Sequence, residues 1–149
     1  MSRAWIVGGA VAVAVAAAVT WTVASGPSES GYQDTVVGIA HDGLSAVRTT
    51  GLLVTADRDD LLLSTYRSRA VHDAETGLAD AITQLDGAER PGPAATALYE
   101  RLAPLLRTGM EGVTQAGEAM SGGTADVLVA QEKLRATGDA LAEFIRSAP

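Results

Sequence analysis

Apolar and polar positions divide this chain into one uncharged run and four segments of helical period. After Met1-Ser2-Arg3, no charged residue occurs from Ala4 to Ala24, and Trp5 and Trp21 stand near the two ends of that run. As a helix it is about 31 Å long, the thickness of a bilayer's hydrocarbon core. The two indole rings lie about 24 Å apart along such a helix and suit the two membrane interfaces. Length and belt residues together predict an uncleaved transmembrane anchor over 1–24. A secretory signal peptide is the competing reading: Arg3 supplies its basic start and Thr22-Val23-Ala24 a workable cleavage site, but the apolar run exceeds the usual length of about 7–15 residues. Arg3 sets the N-terminus inside the cytoplasmic membrane and everything after Ala24 outside it; cleavage would instead release a secreted domain. Gly8, Ala12 and Ala16 recur at four-residue spacing, a row along which membrane helices can approach closely.

A polar stretch, 25–31, reads as a linker, and 32–149 reads as four amphipathic helices. Ser30 followed three residues later by Gln33 is a capping-box pattern that starts the first helix. Val36, Ala40, Leu44, Val47, Gly51 and Val54 then share one face. A second helix is expected from about Asp60 to Leu85, with Leu63, Ala70, Ala74, Leu78, Ala81 and Leu85 inward and Gly87 as its stop. No strong breaker separates these two, so one long helix over 32–86 is the alternative. Phase decides for two: at 100° per residue the stripes lie about 180° apart. A turn near Ala56–Asp59 brings both to the same side.

Pro91-Gly92-Pro93 ends that region, and Leu98, Leu102, Leu105, Gly109, Val113, Ala116 and Met120 form the stripe of a third helix, with Pro104 pointing outward. Ser121-Gly122-Gly123 makes the next turn, Thr124 is placed to cap a fourth helix, and Val127, Ala130, Leu134, Leu141, Ile145 and Ala148 face inward. Four helices of similar length joined by short turns predict an all-α, up-down-up-down antiparallel four-helix bundle.

Composition narrows the chemistry. The chain of 149 residues carries a net charge of −7, and Arg3 is the only charge in its first 28 residues, so the bundle is acidic. An acidic domain argues against nucleic acid as a partner. Without cysteine there is no disulfide, thiolate metal site or thiol nucleophile. His41 and His72 are the only histidines, neither follows a glutamate by three residues, and both fall off the apolar stripes, so they are expected in solvent. Asp57-Arg58-Asp59-Asp60 lacks the spacing of a calcium loop and reads as a helix-starting turn. No Gly-x-Ser-x-Gly elbow or phosphate-binding glycine loop occurs outside the apolar run. The set of nucleophile, base and stabiliser is not filled, so no catalytic residue, metal or cofactor is expected. Arg67 lies near the second apolar stripe beside Tyr66, a placement that fits either a clamp on a ligand carboxylate or an arginine covering apolar surface with its stem.

A bundle behind one membrane helix resembles, in architecture, the extracytoplasmic sensor modules of bacterial chemoreceptors and sensor kinases. The chain ends at Pro149 without a second span or signalling domain, so on that resemblance a partner is expected to carry any output. The function expected is that of a non-enzymatic accessory or scaffold subunit, anchored in the membrane and meeting another membrane or envelope protein or a second copy of itself. A small-ligand sensor subunit, with an inter-helix pocket around Tyr66 and Arg67 and a partner for signalling, is the alternative.

Overall fold

A computed structural model describes residues 28–61 and 63–149. These form four α-helices and no strand: α1 (Glu29–Arg58), α2 (Ser64–Gly87), α3 (Pro93–Met120) and α4 (Val127–Ser147), packed as a four-helix bundle. The apolar run, with Trp5, Trp21, Gly8, Ala12 and Ala16, lies outside the described residues. No described helix is long and apolar enough to cross a membrane.

Caps set the boundaries, and two differ from the sequence reading. α1 begins inside the stretch read as linker, because Ser28 rather than Ser30 is its N-cap. Ser28 is extended, its Oγ accepts the Gly31 N–H at 3.1 Å, and Glu29 adds an acid to the first turn. α4 is capped by Asp126 rather than Thr124: the carboxylate accepts from the N–H groups of Leu128 and Val129 at 2.8 and 3.4 Å. An acid two residues closer to the helix reaches both free donors, which Thr124 does not.

The reversal between α1 and α2 falls at 59–63, later than Ala56–Asp59. Asp60 adopts the left-handed conformation (φ 54°) that ends the helix. The Leu61 N–H returns to the Ala56 carbonyl at 3.0 Å and the Asp60 N–H to Asp57 at 3.1 Å. This is a Schellman ending in which aspartate occupies the place usually taken by glycine. The same bonds close α3, where the Gly123 N–H reaches the Glu118 carbonyl at 2.8 Å and Gly122 is left-handed (φ 77°). There glycine is required twice, since a Cβ on Gly123 would lie 2.7 Å from the Glu118 oxygen.

The core follows most of the expected stripes. Val36, Val47, Val54, Leu78, Leu102, Val113, Ala116 and Leu141 are fully buried. In α3 the pattern favours Leu105, but Leu106 is the side chain fully buried and Leu105 is only half-buried. Pro104 is exposed on the outer face, and α3 continues through it.

α1 and α3 meet directly across the bundle, while α2 and α4 lie on opposite sides and do not touch. Two glycines permit this approach. A Cβ on Gly43 would overlap Leu106 Cδ2, and one on Gly109 would sit 3.0 Å from Val47 Cγ2.

Cross-helix contacts fix which ends lie together. At one end, called here the near end, the start of α1 meets the start of α3: a Cβ on Gly92 would lie 2.8 Å from Glu29 Oε1. Tyr99 donates to Asp86 at 2.8 Å and Arg101 to Ser147 at 2.7 Å, which adds the close of α2 and of α4. At the far end, Arg67 pairs with Asp57 at 2.6 Å, and Arg58 and Thr55 both bond the Gln131 side chain. α1 has 30 residues and therefore holds the two ends about 45 Å apart.

The near end contains a buried phenol. Tyr32 is 5 % exposed and its hydroxyl has no hydrogen-bond partner among the described residues. Burial pushes its pKa up, partly opposed by the nearby Arg90 guanidinium. An unfolded tyrosine ionises near pH 10, so Tyr32 favours the folded state fully below that value, and the contribution is lost as pH rises through the higher folded value. Tyr32→Phe is therefore expected to change stability at neutral pH by no more than about 1 kcal/mol, in the stabilising direction if at all. It should also flatten the alkaline fall in stability, as read by denaturant melts near pH 9 and near pH 11. A loss of more than about 2 kcal/mol at neutral pH would show instead that the hydroxyl makes a valuable bond.

Candidate functional site

The far end is assembled by the last turns of α1, the first turns of α2 and α4, and the close of α3. It carries the surface property that sets this bundle apart. Leu52, Leu61, Leu63, Tyr66, Leu128 and Val129 are the exposed large apolar residues of the described chain, and all six lie toward this end, spread over the close of α1, the turn after it and the starts of α2 and α4. Single exposed leucines are ordinary; a concentration at one end of a helical bundle is the less usual feature. Local geometry places them. Leu61 follows the left-handed Asp60 and is turned out of the core, and Leu128 and Val129 occupy the first turn of α4, ahead of its first buried residue, Ala130.

Leu63 is the most telling of the six. The pattern puts it on the inward stripe; it is instead 79 % exposed, because α2 begins only at Ser64 and Leu63 is its N-cap. No side chain caps this helix. Aspartate, asparagine or serine at such a position would contribute about 1 kcal/mol by accepting a free backbone N–H. An exposed leucine here forgoes a cap and leaves apolar surface in water.

Charge surrounds this end. Asp59, Asp60 and Asp126 are exposed at its turns. Arg67 and Asp57 form an ion pair with side chains 24 % and 20 % exposed, joining the last turn of α1 to the first of α2. Arg67 is thus held by the chain's own carboxylate, and Tyr66 beside it is 60 % exposed. Arg67 also lines a groove of about 340 Å³ between α2 and α3, with His72, Glu75 and Thr114; Thr114 donates to Glu75 at 3.0 Å. His41 and His72 are both exposed, as their places off the stripes predict.

A second groove, about 320 Å³, lies between α1 and α4 and reaches the apolar end at Leu52. Val47 and Leu134 line it, with Gly51 and Gly138, and Arg48, Arg135 and Asp139 stand around it. Arg135 bonds Glu132 through two nitrogens at 2.8 and 3.0 Å and approaches Asp139 at 3.6 Å. Those hydrogen bonds hold the Glu132 carboxyl below the usual carboxylate range. Arg48 has no carboxylate within ion-pair distance among the described residues.

Among the described residues no cluster of three potential metal ligands occurs. The helical periods do not single out the far end: the pattern places Leu61-Leu62-Leu63 inside the second helix, with Leu63 on its inward stripe. No protein-family model matches this chain, no curated protein matches it, and no solved structure matches it.

Proposed function

We propose that this protein is a membrane-anchored accessory subunit, an up-down-up-down bundle that the segment 4–24 carries outside the cytoplasmic membrane. Its far end meets another membrane or envelope protein. In this reading the near end adjoins the bilayer, because the anchor leads through Pro27 into Ser28. The far end then stands about 45 Å further out, the length of α1. The observation that supports it is the gathering of exposed apolar side chains at that end, with Leu63 at an uncapped helix start. The exposed aspartates beside them favour a partner whose apolar contact is flanked by basic residues.

Co-purification of the full chain from gently solubilised membranes tests the reading. A stoichiometric partner, another protein or a second copy, is the expected result. Recovery of the chain alone as a monomer would overturn it.

A further inference from the structure

The groove between α1 and α4 has a feature that protein docking at the far end does not use. Its floor is apolar and fixed: Val47 is fully buried and Leu134 is 2 % exposed. Gly51 leaves one wall bare, since a Cβ there would meet nothing within 4 Å. A helix-interior glycine is unfavourable by about 0.5–1 kcal/mol relative to alanine, and no packing contact accounts for it at this position. The groove, at about 320 Å³, is at the small end of ligand sites, roughly 300–1,000 Å³.

Charge at the groove is uneven in a way that selects an occupant. The chain as a whole is acidic, yet the groove's α1 wall carries one guanidinium, Arg48, that no carboxylate pairs among the described residues. On the α4 wall one guanidinium, Arg135, is shared by two carboxylates, Glu132 at 2.8 Å and Asp139 at 3.6 Å, so Arg135 is not free to take an anion. Among the described residues Arg48 is left without a carboxylate, and its stem runs along the groove wall, its Cγ 3.8 Å from where a Cβ on Gly138 would be. Arg58 lies ten residues further along α1, about 15 Å away, and among the described residues donates only to Gln131, a neutral groove residue. An uncompensated guanidinium beside an apolar trough is complementary to an anionic head on an apolar tail.

We propose that the α1–α4 groove binds a single-chain anionic amphiphile of the fatty-acid class. The carboxylate sits on Arg48 and the chain lies over Val47, Gly51 and Leu134. This site shares only Leu52 with the docking end and is carried by Arg48, Val47, Gly51 and Leu134, so either proposal can fail without the other.

Photo-crosslinking tests it on the full-length chain in phosphatidylcholine nanodiscs. The probes are a fatty acid bearing a diazirine in its chain and the methyl ester of the same compound. The acid is expected to label residues 47–52 and 131–139, at least tenfold more than the ester. Gly51→Leu fills the bare wall with a good helix former, and should keep or raise the melting temperature while reducing groove labelling at least tenfold. Arg48→Glu, at an exposed position, should do the same without touching the core. Equal labelling by acid and ester, unchanged labelling in both variants, or label confined to 4–24 and to Leu61, Leu63 and Leu128 would overturn the proposal.

Discussion

Gly43→Leu is expected to destabilise the bundle by about 3 kcal/mol or more, a large part of the roughly 5–15 kcal/mol that holds a domain of this size folded. The reason is the diagonal contact between α1 and α3. Even a single Cβ at position 43 would overlap Leu106 Cδ2, and Leu106 has no exposed surface into which to move. Gly43→Ala is expected to be unfavourable by about 1–2 kcal/mol despite the gain in helix propensity. Gly38→Ala in the same helix faces open space and should stabilise by about 0.5–1 kcal/mol. The pair of results separates packing from propensity. Leu106→Ala alone should remove about 2–5 kcal/mol through the lost burial and the cavity. When Gly43→Ala is combined with it, the added methyl group enters that cavity. The double variant should therefore lose about 1 kcal/mol less than the sum of the singles. Denaturant melts measure all of these variants. If Gly43→Ala stabilises as much as Gly38→Ala and the cycle is additive, the two helices do not approach as closely as the structure has them.

Leu63→Asp is expected to make the bundle more stable and its docking worse. Aspartate at this N-cap can accept from the second or third backbone N–H of α2, which leucine cannot, for a gain of about 0.5–1 kcal/mol. The same change removes an apolar side chain 79 % exposed at the proposed contact and puts a carboxylate that must be desolvated where the partner's apolar surface would pack. Combined with Leu61→Asp, it should reduce recovery of the partner at least tenfold, which requires a loss of only about 1.4 kcal/mol in binding. Circular dichroism melts and quantitative co-purification read the two effects separately. Full recovery of the partner by this more stable variant would move the contact away from the far end.

The helices and most of the core are legible in the sequence because burial alone writes that pattern. The offset of about 180° between the first and second apolar stripes predicts two helices where no breaker is visible, and α1 and α2 are separate. What stays hidden is decided by local competition among near-equivalent groups. Ser28 and Ser30 are both capping residues, and only the extended backbone at Ser28 settles the start of α1. Asp60 carries no glycine signal, yet an aspartate tolerates the left-handed conformation well enough to end a helix. Once α1 runs on to Arg58, α2 starts four residues later than expected and Leu63 passes from the stripe to the surface.

The candidate site is less legible than the fold. Arg67 is visible as a charge near an apolar stripe. Its partner Asp57 is not, because it lies across a turn whose position decides whether the two meet; at 2.6 Å they do. The α1–α4 groove depends on Gly51 and Arg48 lying against Leu134 and Gly138, which no period within one helix reveals.

Residues 1–24 decide whether this chain is an anchored subunit. Intact mass of the native protein, taken from membranes washed at alkaline pH, measures this directly. An anchored subunit has a mass that includes the whole run from Ala4 to Ala24 and stays in the washed membranes, and that is the expected result. A mass beginning after Ala24, on a protein released into the soluble fraction, would contradict it and make the bundle a secreted one.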